Sequence, residues 1–120
     1  MTINKVLVVD DSPTDLKNME EILSKEGFHI SLARSGMEAI KKSNEEMPDI
    51  IFLDVVMDDK NGFQTCRELK KNPQTKDIPV FLVSSKNQKV DHLYANQVGA
   101  MELISKPVNS ELIMSKIHNL

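Results

Sequence analysis

The chain has 120 residues, of which 40% are hydrophobic and 28% are charged, and its formal net charge is -3. This length predicts a single domain over residues 1–120 with one hydrophobic core, and it leaves no room for a second domain. Because charges of both signs are interspersed, the sequence lacks the basic stripe that duplex DNA or RNA binding requires, and we expect no nucleic-acid partner.

The cysteine count and the apolar runs bear on where the protein works. Cys66 is the single cysteine and cannot form an internal disulfide, and the chain has seven methionines and no tryptophan. This composition is typical of a reducing cytosol. The apolar runs are too short to span a membrane, and the opening MTINKVLVVDD lacks the features of a signal peptide. We therefore expect a soluble, cytoplasmic monomer without a membrane partner.

Strand-like runs alternate with helical periods along the whole chain, which predicts a parallel sheet covered by helices on both faces. The predicted strands are Lys5–Val9, Phe28–Ala33, Ile50–Leu53, Val80–Val83 and about Met101–Ser105. Four of them are nearly continuous apolar or short mixed runs, as expected for strands buried on both faces. The second strand alternates apolar with polar residues, which predicts a position at the edge of the sheet.

Five helices are predicted between and after these strands. The first opens with Ser12-Pro13-Thr14-Asp15, which has the spacing of a capping box and a proline at the first helical position. The predicted inward-facing residues, helix by helix, are Leu16, Met19, Ile22 and Leu23; Met37, Ile40 and Met47; Phe63, Cys66 and Leu69; Val90, Leu93, Tyr94 and Val98; Leu112, Ile113, Ile117 and Leu120. The charge-rich segment 70–77 is predicted to be a solvated loop.

Polar residues that could do chemistry follow four of the five predicted strands. They are Asp10-Asp11, Asp54, Ser84-Ser85 and Lys106-Pro107, after strands one, three, four and five. In a doubly wound, flavodoxin-like sheet of order 2-1-3-4-5, the crevice at the carboxyl ends of strands one and three is where ligands bind. Each motif alone could be an ordinary turn or helix cap, but that interpretation requires four coincidences at one edge of the sheet.

Three carboxylates that converge on one site repel one another, by roughly 3 kcal/mol per pair at about 5 Å and an effective dielectric of 20. A divalent cation and a lysine both relieve this repulsion. Oxygen ligands of this kind suit Mg2+, which accepts one or two carboxylates together with a phosphoryl oxygen. A carboxylate such as Asp54 can attack phosphorus to give an acyl phosphate, and the sequence therefore predicts a phosphate acceptor.

The segments VLVVDDSP, LVSSK and SKPV, with Asp54 at the end of its apolar run, resemble the receiver domain of bacterial two-component response regulators. The resemblance covers the whole chain and implies a five-stranded α/β fold that accepts phosphate from a phosphohistidine of a histidine kinase. It implies that Asp10, Asp11, Asp54 and the backbone carbonyl of Val56 bind Mg2+, directly or partly through water. It also implies that Asp54 is phosphorylated while Ser84 and Lys106 hold the phosphoryl oxygens.

The resemblance further indicates a stand-alone receiver of the chemotaxis type, similar to regulators of type IV pilus twitching motility. Such a protein is a signalling domain rather than an enzyme acting on other substrates, although it promotes its own phosphorylation and dephosphorylation, and it signals by binding a downstream target protein. Two positions depart from the family pattern. Asp58 stands where proline is usual, and Leu103 stands where many relatives carry a rotating Tyr or Phe.

Other functions compete with this interpretation. A Mg2+-dependent phosphatase with an aspartyl nucleophile would need a second Asp two residues after Asp54, where this chain has Val56. An interaction module that has lost phosphorylation would not need the complete acidic set. A phosphate sink in the same pathway has the same motifs as an effector, and the two stay open. We expect the histidines to be surface or packing residues, namely His29, His92 and His118.

Overall fold

A computed structural model describes residues 2–120 as five strands that alternate with five helices. The strands are β1 (Lys5–Val9), β2 (His29–Ala33), β3 (Ile50–Asp54), β4 (Val80–Ser84) and β5 (Glu102–Ser105). The helices are α1 (Pro13–Ser24), α2 (Gly36–Glu46), α3 (Gly62–Lys71), α4 (Lys89–Gln97) and α5 (Ser110–His118). All five predicted strands are confirmed, with ends that differ from the prediction by one residue at β2, β3, β4 and β5.

The strands form one parallel sheet of order β2-β1-β3-β4-β5, as predicted. Strand β2 therefore lies at an edge, and its residues are less buried than those of the central strands β3 and β4. This explains why the sequence of β2 alternates while the central strands are continuously apolar, because only the central strands are covered on both faces. The doubly wound α/β fold is confirmed.

The two faces of the sheet carry separate hydrophobic clusters. Helices α1 and α5 cover one face, where Leu23 and Ile113 pack against Phe52 of the central strand. Helices α2, α3 and α4 cover the other face, where Cys66 packs in the same cluster as Leu53. Because alternate residues of a strand point to opposite faces, each central strand contributes to both clusters. Within the described residues 2–120, no helix is both long enough and apolar enough to cross a membrane.

Several predictions of buried helix residues are wrong. Met37 is 68% exposed in the first turn of α2, and Met47 lies beyond the end of that helix in a left-handed conformation with a φ of 49°. In α4 the buried residue is Ala95, which was not predicted, whereas the predicted burial of Val98, just after the helix, is confirmed. The remaining predicted core residues that prove exposed are Val90, Leu93, Tyr94 and Leu120.

The segment 70–77 is only partly the solvated loop that was predicted. Its first two residues complete α3, and Thr75 is fully buried, where its hydroxyl donates to the carbonyl of Leu69 at 2.6 Å. Lys70 turns back and donates to the carbonyl of Ile78 at 2.6 Å. These contacts pin the connection between α3 and β4 to the body of the domain.

Candidate functional site

The register of the sheet brings two of the predicted carboxylates side by side. Val9 of β1 is paired with Leu53 of β3, so the next residues on these strands, Asp10 and Asp54, are neighbours at the carboxyl edge. The backbone N–H of Asp10 extends the ladder by donating to Ala33 at 3.0 Å. The switch point of the strand order, between β1 and β3, is where a doubly wound sheet opens its ligand crevice.

Three carboxylates converge at this point. Asp10, Asp11 and Asp54 each offer one oxygen, and these oxygens all lie within 4.8 Å of one another. Asp10 and Asp54 are buried, whereas Asp11 is exposed at the mouth of the site. One oxygen of Asp10 accepts from the backbone N–H of Ser12 at 3.0 Å, which fixes the turn that leads into α1. The predicted acidic cluster is therefore present.

Lys106 reaches into the acidic cluster from the end of β5. Its backbone N–H donates to the carbonyl of Ser84 at 2.9 Å, which anchors the residue beside β4. Its ammonium nitrogen lies 2.9 Å from Asp54 Oδ1, 3.0 Å from Asp10 Oδ2 and 2.9 Å from Asp15 Oδ2. An ammonium group has three N–H donors, so these three carboxylates can take all of them.

The surroundings raise the pKa values of both Asp54 and Lys106. Burial raises the pKa of Asp54 from 3.8 to about 6; the ammonium of Lys106 opposes the rise, and the charges of Asp10 and Asp11 add to it. Burial alone would lower the pKa of Lys106, but its hydrogen bonds to Asp54, Asp15 and Asp10 raise that pKa above its ordinary value. Lys106 is therefore a permanent cation in this site, and Asp54 is mostly ionised at neutral pH.

Ser84 is buried at the end of β4, and Val56 lies in the loop that follows β3. The Ser84 hydroxyl oxygen accepts from the backbone N–H of Lys86 at 3.0 Å, which leaves its proton free to donate to another group. The side chain of Val56 is exposed. The structure thus places both residues at the same edge of the sheet as the acidic cluster.

A glycine allows α3 to begin directly behind this site. The N–H of Gly62 donates to the carbonyl of Val55 at 2.8 Å. A Cβ atom at Gly62 would lie 2.3 Å from the carbonyl oxygen of Asp54, closer than real Cβ contacts allow. Only glycine therefore lets the loop after β3 close this tightly, and the loop is held against the end of the strand that carries Asp54.

A cavity of about 260 Å³ opens beside the acidic cluster, between α1 and the connection from β5 to α5. Lys106, Asp10, Asp15 and Asp54 lie along its wall. The rest of the wall is mainly apolar and includes Val8, Met19, Phe52, Val83, Pro107 and Val108. The charged groups therefore face an apolar surface on one side, which strengthens the electrostatic interactions among them.

The donor set fits a hard divalent cation. Three carboxylate oxygens within 4.8 Å of one another are the ligands that Mg2+ prefers, and the ammonium of Lys106 neutralises only part of their charge. The exposed position of Asp11 leaves the mouth of the site open to solvent, as suits an ion that keeps several of its waters. Asp10, Asp11 and Asp54 are the side chains that would hold the ion.

The sequence had not placed Asp15 in the site. Asp15 matched the spacing of a capping box, but its carboxylate contacts Lys106 instead, while its backbone N–H donates to the Ser12 hydroxyl oxygen at 3.3 Å. The position of Asp15, five residues after Asp10 and in the first turn of α1, is the sequence feature that could have indicated this contact. The other predicted side chains, from Asp10 to Lys106, lie at the carboxyl edge where they were expected.

The fold and this site define a class of protein. It is a doubly wound α/β domain that carries, at the switch point of its sheet, a carboxylate cluster with one lysine. Comparison with known proteins agrees, because residues 6–118 match the model of the response regulator receiver domain. The chain belongs to the response regulator receiver domain family.

Relatives and solved structures support the same placement. The chain is 35% identical to Protein PilH of Pseudomonas aeruginosa over 114 residues, which cover 95% of this chain and 94% of PilH. Its fold is similar to that of the chemotaxis response regulator CheY4 of Vibrio cholerae, with a TM-score of 0.91, 27% identity and 98% of each chain covered. It is also similar to a chain of the CheX-CheY-BeF3-Mg2+ complex of Borrelia burgdorferi, with a TM-score of 0.90, 26% identity, and 97% and 87% covered.

Proposed function

We propose that this chain acts as a stand-alone receiver that accepts a phosphoryl group on Asp54 from a phosphohistidine of a histidine kinase. The observation that carries the proposal is the position of Asp54, which is buried at the end of the central strand, 2.9 Å from Lys106 and beside Asp10 and Asp11. Burying a charged group costs free energy. The Asp54 carboxylate nevertheless lies at the edge of the sheet, where a phosphoryl group arriving from solvent can reach it.

The chemistry requires an ionised nucleophile and neutralisation of charge. With a pKa of about 6, Asp54 is mostly a carboxylate at pH 7 and can attack phosphorus through one oxygen. As the new P–O bond forms, the P–N bond of the phosphohistidine breaks, and the imidazole nitrogen keeps the electron pair. Lys106 remains protonated and can donate to a phosphoryl oxygen. Positioning and electrostatic stabilisation of this kind dominate phosphoryl transfer.

Mg2+ is the cofactor that the site favours. Asp10, Asp11 and Asp54, with the backbone carbonyl of Val56, would hold the ion, and Asp10 would act partly through water. The ion, when bound, supplies positive charge that offsets the carboxylates and the phosphoryl oxygens. The proposal is supported by the convergence of the three carboxylates and by the similarity to a chain of the CheX-CheY-BeF3-Mg2+ complex.

Ser84 is proposed to hold a second phosphoryl oxygen. Its hydroxyl oxygen already accepts from Lys86 N–H at 3.0 Å, so the remaining hydroxyl proton can be donated to the phosphoryl group. Ser84 and Lys106 are linked through the backbone hydrogen bond from Lys106 N–H to the Ser84 carbonyl at 2.9 Å. The two groups can therefore respond together when a phosphoryl group occupies the site.

The output is proposed to be phosphorylation-dependent binding of a downstream protein, in a chemotaxis-like or type IV pilus motility pathway. The similarity to PilH over 95% of the chain supports the pathway. Exposed apolar side chains on and beside α4 support a protein partner, because contiguous exposed apolar groups mark interaction surfaces. Those side chains are Val90, Leu93, Tyr94 and Met101.

The proposal includes a cytoplasmic, monomeric protein whose residues 1–120 form one receiver domain, with no nucleic-acid or membrane partner. In this role the chain is a signalling domain that promotes its own phosphorylation and dephosphorylation, and it has no separate substrate. The similarity to PilH, which covers 95% of this chain and 94% of PilH, supports this role as a receiver.

Treatment with acetyl phosphate, a small phosphodonor, tests this function. The wild-type protein should gain the mass of one phosphoryl group when Mg2+ is present and should gain none when EDTA replaces it. The variant Asp54→Asn should gain none in either condition, and Asp58→Asn, which alters a nearby exposed carboxylate, should behave as the wild type does. A wild-type protein that is not modified would overturn the proposal.

A further inference from the structure

Asp15 is a fourth carboxylate at the site, and it belongs to a different element from the others. It lies in the first turn of α1, where its backbone N–H donates to the hydroxyl oxygen of the N-cap residue Ser12. Its carboxylate oxygen Oδ2 lies 2.9 Å from Lys106 Nζ, and its side chain is 44% exposed. The start of α1 therefore fixes this carboxylate against the lysine from the side facing the cavity.

Asp10 and Asp54, the other two carboxylates that contact Lys106, can also bind a metal ion. Asp10 and Asp54 both belong to the group of three carboxylates whose oxygens lie within 4.8 Å of one another and can hold a cation. Asp15 is not in that group. A cation and a phosphoryl group bound at the site would interact with Asp10 and Asp54. Among residues 2–120, the Asp15 carboxylate accepts a hydrogen bond from Lys106 alone.

We propose that Asp15 is a positioning residue. It would hold the Lys106 ammonium group at the site while Asp10 and Asp54 give up contacts with Lys106 and interact with a bound cation and phosphoryl group. The inference rests on the proposed phosphorylation of Asp54 and adds to it a residue from α1. Asp15 acts through Lys106, because it contacts the lysine but lies outside the group of three carboxylates that can hold a cation. With Asp15 in place, Lys106 keeps one fixed carboxylate and directs its remaining N–H donors to the phosphoryl oxygens.

The expected size of the effect follows from the exposure of Asp15. Solvent screens an ion pair in which one side chain is 44% exposed, so removing the Asp15 carboxylate should reduce the rate of phosphorylation only modestly. Pairs of this kind change an equilibrium or a rate by about two- to fivefold. We therefore expect Asp15→Ala to slow phosphorylation by acetyl phosphate by about that factor at saturating Mg2+. Asp15→Glu, which keeps the charge at an exposed position, should recover most of the rate.

A matched control separates this role from a general effect on helix stability. An acidic residue in the first turn stabilises a helix through the helix dipole, and Asp15→Ala loses that contribution as well. Glu111 lies in the first turn of α5 and is exposed, and its carboxylate makes no hydrogen bond or ion pair within the described residues 2–120. The variant Glu111→Gln should therefore be phosphorylated by acetyl phosphate at the wild-type rate.

The ammonium group of Lys106 gives a direct readout. In protein labelled with 15N-lysine, its Nζ resonance, assigned by its absence in Lys106→Arg, should be observable while the group is held by carboxylates. We expect it to persist in the wild type with Mg2+ and the phosphoryl analogue BeF3-, to broaden in Asp15→Ala, and to return in Asp15→Glu. In metal-free protein Asp10 and Asp54 still contact Lys106, so Asp15→Ala should broaden the resonance less there.

The outcomes distinguish the two claims. A wild-type protein that takes no phosphoryl group would overturn the proposed function and, with it, the role of Asp15. If the wild type is phosphorylated, an Asp15→Ala rate equal to or above the wild-type rate would overturn only the role of Asp15. A slower Asp15→Ala protein with an unchanged Lys106 resonance would overturn it too, because the effect would then not pass through the lysine.

Discussion

Asp54 is a carboxylate that the fold holds at a cost in stability. Its burial and the nearby charges of Asp10 and Asp11 raise its pKa to about 6, and Lys106 offsets only part of that rise. A group whose ionised form is disfavoured in the folded state makes the folded state less stable wherever that form predominates. Stability alone would favour an uncharged residue at this position, whereas the proposed phosphoryl transfer requires the carboxylate charge.

This cost predicts a dependence of stability on pH. The folded protein binds the Asp54 proton more tightly than the unfolded chain does, so the contribution of this group is present below about pH 4 and is lost as pH rises through about 6. In metal-free protein, Asp54→Asn should therefore be more stable than the wild type at pH 7, by at most about 3 kcal/mol. The difference should shrink towards pH 4.

Urea unfolding of both proteins between pH 4 and pH 8 measures this difference. The comparison cancels the carboxylates that the two proteins share, so only the titration of Asp54 and of the groups coupled to it remains. A stability difference between Asp54→Asn and wild type that does not change with pH would show that Asp54 has an ordinary pKa in the folded protein.

The sequence could predict most of the site at this scale but not all of it. Asp10, Asp54 and Lys106 directly follow strands, and parallel strands end at one edge, so their meeting follows from the fold. Asp15 lies on a helix, where its contact depends on the rotation of α1 relative to the sheet and on which way a long lysine side chain turns. Local sequence patterns do not encode either property, and the capping-box spacing offered a competing interpretation of the same residue.

At the scale of elements, the loop after β3 is tied to helix α2. The backbone N–H groups of Gly36 and Met37, at the start of α2, each donate to a carboxylate oxygen of Asp59 at 3.0 Å. Burial acts to raise the pKa of Asp59, but these two hydrogen bonds, together with those from the backbone N–H groups of Lys60 and Asp59, lower it below its ordinary value. The loop that follows Asp54 therefore caps a neighbouring helix through the Asp59 carboxylate.

Removing this cap should destabilise α2. Asp59→Ala leaves two N–H groups at the helix start without their protein partner, which typically costs about 1 kcal/mol at such a position. We expect faster hydrogen exchange in the first turn of α2 and a lower free energy of unfolding. Asp58→Ala is the matched control, because Asp58 is an exposed neighbour whose side chain makes no hydrogen bond within residues 2–120.

The comparison of Asp59→Ala with Asp58→Ala tests whether Asp59 couples the loop after β3 to helix α2. Equal protection of the α2 amides in the two variants would show that water replaces Asp59 without loss and that the loop and the helix are not coupled. Because Asp59 binds as a carboxylate, its contribution should be present at neutral pH and should fade as pH falls below the ordinary value of 3.8.

Helix α4 shows where prediction of an element fails. The apolar residues Val90, Leu93 and Tyr94 suggested an inward stripe, yet the helix buries the small Ala95 and leaves the larger residues out. Tyr94 instead lies over Phe63 of α3, with ring centroids 4.6 Å apart. A short helix with apolar residues on more than one side does not define its own rotation. Its large exposed residues lie on the surface that we propose for a protein partner.

The place of Leu103 in the sheet explains how a leucine fits at this position. It is buried in β5, opposite Leu82 of β4, in the cluster that underlies α3 and α4. A leucine in this place has no hydroxyl to exchange between core and solvent, so any rearrangement around it is a change of packing. The leucine that stands where many family members carry an aromatic residue is thus part of the hydrophobic core.

At the scale of the whole molecule, the site and the stability of the fold are coupled. Asp10, Asp11 and Asp54 come from two strand ends that are distant in the chain and meet only when the sheet has formed. Their mutual repulsion opposes folding, and a cation that binds the folded protein relieves it. Ligands that bind only the folded state raise the melting temperature in proportion to the logarithm of their concentration.

Millimolar Mg2+ should therefore raise the melting temperature of the protein. Asp11→Asn should be more stable than the wild type without metal, because it removes one repelling charge, and it should respond less to Mg2+ because it removes one ligand. Thermal unfolding with Mg2+ and with EDTA measures both effects. An Asp11→Asn protein that gains as much from Mg2+ as the wild type does would exclude Asp11 from the metal site.

The overall topology was the most predictable feature, and the reason is physical. Continuous apolar runs in β3 and β4, with an alternating run in β2, indicate which strands are covered on both faces and which one lies at the edge. The doubly wound arrangement follows because parallel strands need helical crossovers. Details such as buried Thr75 depend on long-range packing and could not be predicted from a polar, charge-rich segment.

The central claim is that Asp54 itself receives the phosphoryl group, and chemical trapping tests it most directly. After phosphorylation with acetyl phosphate and Mg2+, borohydride reduces an aspartyl phosphate to homoserine, and tandem mass spectrometry of the peptides then locates the changed residue. We predict homoserine at position 54 and at no other aspartate. Homoserine at Asp10, Asp11 or any other position, or none at position 54 in protein that has gained a phosphoryl group, would contradict the account.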